Sequence, residues 1–129
     1  MLKIVEVHPS RTANGEYVVL QNQGLQTVGL IGHTLVSGAL LEDNSTRAAQ
    51  EMYVFRQDIS VKPYARIVLF TGDGADGWQP TNDGKSCYVV FCGRNEPLWS
   101  RVRDVYLLAP GCHRRIAAEC FLTADVAAG

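Results

Sequence analysis

Residues 16–36, EYVVLQNQGLQTVGLIGHTLV, constrain the fold more than any other part of the chain. In an extended segment Val18 and Leu20 share one side, and Tyr17, Val19 and Gln21 share the other. Gln23-Gly24 then supplies a turn, Val28–Ile31 a short strand, Gly32 a break and His33–Ser37 another strand. A period of two, cut by turns every few residues, leaves no room for a helix. The Tyr17 and Val19 side is more apolar than a solvent face requires. Either a later insertion or a partner is expected to cover it.

The same grammar runs through the rest of the chain. Leu2–Val7 reads as a first strand ended by His8-Pro9, and Asn14-Gly15 as a turn. Further strands are expected at Met52–Phe55, Arg66–Thr71, Cys87–Cys92, Val105–Leu108 and His113–Phe121, with a short edge segment at Ile59–Val61. Arg66–Thr71 is apolar on both faces, so it belongs in the middle of a covered sheet. Residues 38–51 read as a loop insertion with one short helix, capped by Asn44 or Ser45. Residues 72–86, rich in glycine and aspartate, read as a long loop, and 122–129 as a frayed tail. About eight or nine short strands without a helical period predict an all-β, antiparallel β-sandwich or barrel. At 129 residues the chain fits a single domain, 1–129, with its core at about 3–120.

Composition narrows the function classes. The chain is 47% hydrophobic and 19% charged, the values of a globular protein, and its formal net charge is -1. That balance offers no global attraction to nucleic acid or to an anionic membrane. No apolar run reaches the roughly 18 residues that span a bilayer. Glu6 and His8 interrupt any leader-like core at the N-terminus, so a cytoplasmic setting is expected, or an extracellular one if a leader was removed. Cys87, Cys92, Cys112 and Cys120 form no CxxC pair. They read as free thiols acting as small hydrophobes; in a secreted domain they would allow three disulfide pairings.

Gly15-Glu16-Tyr17-Val18, then Leu20, Asn22 and Gly24, then Val28, Leu30, Gly32 and Leu35 form a block that resembles the signature of the lamin tail domain family. A second block is Tyr53, Phe55, Ile59, Pro63 and Arg66–Leu69; a third is Trp99, Asp104, Leu107, Gly111 and Ile116. The family is an immunoglobulin-like β-sandwich found in nuclear lamins and in many bacterial proteins. The resemblance therefore implies a lamin-tail-type sandwich, without catalysis or cofactor, that binds or tethers. This chain resembles a stand-alone, bacterial-type member. It departs from the family pattern at three places. His33 stands for the usual tryptophan, Tyr64 for the glycine after Pro63, and Val19 for a polar residue.

Candidate partner-binding residues follow from side-chain type. Trp78 lies in the 72–86 loop, where an aromatic either tucks onto the sandwich or meets a partner. Arg101, Arg103, Arg114 and Arg115, with Arg94, fall in the last third and would form a basic patch beside Trp99 if one hairpin face carried them. The expected partner is a protein or a second copy. Nucleic acid at the arginine hairpin is the alternative, as is calcium-dependent ligand binding through Asp73, Asp76 and Asp83. Their spacing misses the EF-hand pattern, and no metal site is assigned. Cys112 and His113 are neighbours that point apart in a strand, so they make no nucleophile and base, and an enzyme is not expected.

Overall fold

The computed structural model describes residues 1–110 except Asp43 and Arg103, with backbone alone for Leu40, Ser45 and Arg101. The described elements run β1 (Leu2–His8), β2 (Tyr17–Asn22), β3 (Val28–Gly29), β4 (Thr34–Ser37), α1 (Ser45–Gln50) and β5 (Met52–Val54). Then come β6 (Ser60–Val61), β7 (Arg66–Phe70), β8 (Gly77–Pro80), β9 (Ser86–Phe91) and β10 (Val105–Leu108). They form a five-stranded sheet, β1-β2-β7-β9-β8, a three-stranded sheet, β10-β4-β5, and the pair β3-β6. The protein is all-β, with the strand content and sheets of a sandwich of about ten strands. The strand expected at 113–121 and the tail at 122–129 lie outside the described residues.

Two features correct the expected layout. Residues 72–86 are not one long loop, because Gly77–Pro80 pairs antiparallel with Ser86–Val89 as an edge strand. Glycine, aspartate and proline disguise this strand, and only its pairing with β9 reveals it. The pairing is also not wholly antiparallel, since β7 and β9 run parallel from Arg66↔Cys87 to Phe70↔Phe91. After β7 the chain crosses to the sheet edge to make β8, then returns by a hairpin into the position beside β7. A parallel pair needs such a crossover.

The chain divides into two compact units. The first, Met1–Val28 with Ser60–Arg101, holds the five-stranded sheet. Val18 and Leu20 of β2 and Ile67 and Leu69 of β7 are fully buried on one face, as the alternation requires. The opposite face carries a row of rings. His8 meets Tyr17 edge-on at 4.6 Å, Tyr17 stacks on Phe70 at 5.4 Å, and Phe70 stacks on Phe91 at 5.3 Å. Tyr17 is thus half-buried between His8 and Phe70, neighbours on its own sheet. Asn22 is buried where the expected turn begins. Its Oδ1 accepts from Gly24 N, and its Nδ2 donates to the Gln26 and Val61 carbonyls.

The second unit, Gly29–Ile59 with the chain from Val102 onward, holds the three-stranded sheet. Asn44 caps α1 by accepting from Arg47 N, so the helix of the expected insertion forms with that cap. Arg47 pairs with Glu51 at 3.0 Å, and Glu51 in turn accepts from Ser37 Oγ. Ala39 and Ala48 pack with Val36 and Leu108 into a small core flanked by Met52 and Tyr106.

Candidate functional site

The feature of the first unit that chain statistics least explain is a carboxylate with no access to solvent. Glu16, immediately before β2, is fully buried. Its Oε1 accepts from Thr71 Oγ1 at 2.5 Å and from the backbone N–H groups of Leu98 and Trp99 at 2.8 and 2.9 Å. Its Oε2 accepts from Ser100 N at 2.8 Å and Ser100 Oγ at 2.5 Å. Burial pushes this carboxyl's pKa up, but the donors from Ser100, Thr71, Trp99 and Leu98 outweigh it and hold the pKa below the usual value. Five donors satisfy both oxygens, the condition for a buried carboxylate to stay ionised.

The consequence is mechanical. Glu16 ends the β1–β2 loop, Thr71 opens the β7–β8 loop, and Leu98–Ser100 close the loop after β9. Ser100 Oγ also accepts from Ser10 N at 2.9 Å, which ties down the start of the first loop. Further rungs join the other two loops, Gly93 N to Gly72 O at 3.0 Å and Arg94 N to Thr71 O at 2.9 Å. A Cβ at Gly72 would lie 2.0 Å from Asn14 Oδ1, so the first two loops approach as closely as glycine permits.

Between these three loops lies an open cleft of about 380 Å³. Arg11 and Asn14 come from the first loop, Asp73 from the second, and Arg94, Asn95 and Glu96 from the third. All the charged groups sit on loops whose ends the Glu16 carboxylate fixes, an arrangement that presents a ligand with a ready-made polar surface.

The structure describes some of the candidate partner-binding residues. Trp78 lies on edge strand β8, 53% exposed, and meets Tyr88 edge-on at 5.3 Å. Trp99 is 2% exposed, so it cannot flank a surface patch; its backbone N–H is spent on Glu16 and its ring is inside. Its Nε1 has no partner among the described residues. Arg94 is half-buried in the cleft. Arg101 ends a 3₁₀ turn over Trp99–Arg101, described by its backbone alone, and Arg103, Arg114 and Arg115 lie outside the described residues.

The aspartates of 72–86 are dispersed. Asp76 accepts from Phe91 N at 2.9 Å, and Asp83 accepts from Lys85 N and Thr81 Oγ1, while Asp73 faces the cleft. Among the described residues no three histidine, cysteine, aspartate or glutamate side chains gather as a metal site. Cys87 is a buried free thiol with a raised pKa. Cys92 is free and half-buried, and burial pushes its pKa up to about 12. Cys112, His113 and Cys120 lie outside the described residues.

Sequence reasoning missed Glu16 and Tyr64. Glu16 stands inside the resemblance block, and a glutamate before a strand gives no local sign that three distant loops will bury it. In the sequence Tyr64 stands out only as a departure from glycine, yet it adopts φ 67° and is 64% exposed. No family model matches the chain, and no curated protein matches it.

Proposed function

We propose that the protein is a non-catalytic interaction or tethering module of lamin-tail type that binds a protein partner or a second copy of itself. The observation that carries this reading is Trp78. An indole half in solvent, braced edge-on by Tyr88 at the edge of a five-stranded sheet, is a large apolar surface ready to be buried. Exposed Tyr64, held at a backbone angle that disfavours any side chain, is a second such aromatic. The non-catalytic part of the reading is supported by chemistry. The buried carboxylate is consumed by structural donors, and the described thiols have raised pKa values that keep them protonated and unreactive at neutral pH.

Affinity capture of the tagged protein from its own host, with mass spectrometry of the bound fraction, tests this. The expected result is a reproducible protein, or untagged copies of the chain, lost with Trp78→Ala while the melting curve is unchanged. Nucleic acid as the sole bound species would overturn the reading in favour of the arginine-rich segment. Capture that survives Trp78→Ala would remove Trp78 from the interface.

A further inference from the structure

The end of the five-stranded sheet away from Glu16 carries a second set of loops. Lys3, Gln21, Arg66 and Cys87 stand in one row across β1, β2, β7 and β9, which fixes the loops that meet there. Beyond the row lie residues 23–27 after β2, 62–65 before β7 and the 81–85 turn that joins β8 to β9. Buried Asn22 ties the first two together. Its side chain holds Gly24 N and the Gln26 and Val61 carbonyls, its N–H donates to Ala65 O at 3.1 Å, and its carbonyl accepts from Tyr64 N at 2.6 Å. Thr81 N donates to Lys85 O at 2.8 Å and closes the third.

These fixed loops expose what a folded chain ordinarily hides. Leu25 is 88% exposed and Tyr64 64%, on the two loops that Asn22 joins. Tyr64 keeps a ring in solvent at a φ that glycine would adopt without strain. Around them stand Lys3, Lys62, Arg66 and Lys85, all exposed, against a single carboxylate, Asp83. That carboxylate is engaged by Thr81 Oγ1 and Lys85 N. None of the four cations is ion-paired among the described residues. A chain of net charge -1 thus concentrates positive charge at one end of one sheet. From β1 to β9 that end spans about 15 Å, three strand spacings.

We propose that this end of the sheet docks on the surface of an anionic lipid bilayer, with Leu25 and Tyr64 in the headgroup layer and the four cations on the anionic headgroups. Apolar side chains on protruding loops need no matching pocket there, because lipid headgroups part around them. A tyrosine suits that layer, its ring in the apolar zone and its hydroxyl wet. Lysine and arginine stems cover apolar surface while their charges reach the lipid anions. Nucleic acid would use the same cations but leave Leu25 in water. The proposal goes beyond the protein-binding reading, which Trp78 on β8 carries, and gives the module a membrane surface as the second thing it tethers.

The test is flotation of the full chain with vesicles of phosphatidylcholine alone and of phosphatidylcholine with about 30 mol% phosphatidylserine, at about 0.1 M salt. The protein is expected to float with the phosphatidylserine vesicles only, and to bind them about tenfold more weakly at about 0.5 M salt. Lys62→Glu is expected to weaken binding about tenfold. Arg11→Glu makes the same charge reversal at an exposed position beyond the opposite end of the sheet, and it should leave binding unchanged. Tyr64→Gly, which suits a φ of 67°, and Leu25→Ser are each expected to weaken binding about fivefold. No flotation up to about 5 mM lipid overturns the proposal. So does equal binding to both vesicles, binding that Tyr64→Gly and Leu25→Ser both leave intact, or binding that Arg11→Glu weakens as much as Lys62→Glu. An acidic protein captured through Lys62, without flotation, overturns it and assigns this end to a protein. The two readings fail separately, because flotation needs no protein partner and capture through Trp78 needs no vesicle.

Discussion

Tyr64 shows what a single residue tolerates. A φ of 67° puts its Cβ against its own backbone, a cost of about 1–2 kcal/mol that glycine does not bear. The surrounding bonds hold it there, its N–H donating to Asn22 O at 2.6 Å and its carbonyl accepting from Gln21 Nε2 at 3.2 Å. Tyr64→Gly is therefore expected to raise stability by about 0.5–1 kcal/mol in urea denaturation, the relief of strain less the added entropy of the unfolded chain. Glu16 behaves in the opposite way. Glu16→Gln turns one acceptor oxygen into an amide donor facing N–H groups, and about 3 kcal/mol of stability is expected to go. Because the folded carboxyl sits below its ordinary value of 4.5, its contribution is full above that pH. It is lost as pH falls through the lower folded value, where the folded state must also take up the proton. Stability measured from pH 7 downward should thus fall below pH 4.5 in the wild type, and part of that acid limb should be missing in Glu16→Gln.

At the scale of elements, the row His8, Tyr17, Phe70 and Phe91 ties four adjacent strands together on the face opposite the core. Offset stacks of this kind contribute about 0.5–1.5 kcal/mol beyond their area. A double-mutant cycle between Phe70→Leu and Phe91→Leu is expected to give a coupling of about 1 kcal/mol, since their centroids are 5.3 Å apart. Additive effects would mean that the rings merely cover the sheet. The row also depends on the crossover through β8, because only a parallel β9 in this register sets Phe91 opposite Phe70. Gly74 belongs to the same construction, as a Cβ there would lie 2.5 Å from the Phe91 ring.

At the scale of the molecule, the thiols report how the chain is packed. Cys92 needs a pH near 12 to form a thiolate in the folded state, and Cys87 is buried with a raised pKa. Brief alkylation with iodoacetamide at pH 8, followed by peptide mapping, is expected to leave both unmodified in the native protein and both modified in urea. Rapid native labelling of Cys92 would mean that the loop after β9 opens far more often than its ties to Thr71 and Gly72 allow.

The sequence by itself determined the fold class and most strand positions. Alternating side chains in Tyr17–Asn22 and Arg66–Phe70 leave only one pair of faces to choose between, and glycine, asparagine and proline mark the turns locally. It also located the short helix, because Asn44 is a cap that acts within its own turn. The tertiary structure alone decided the rest. Strand β8 exists through its partner, since its own residues have poor strand propensity. The parallel order of β7 and β9 follows from the path of a crossover and not from either strand's pattern. Trp99 goes inside and Trp78 outside, though both are tryptophans beside loops. Glu16 becomes a latch because donors 55 to 84 residues away converge on it, and no local pattern encodes a meeting at that separation.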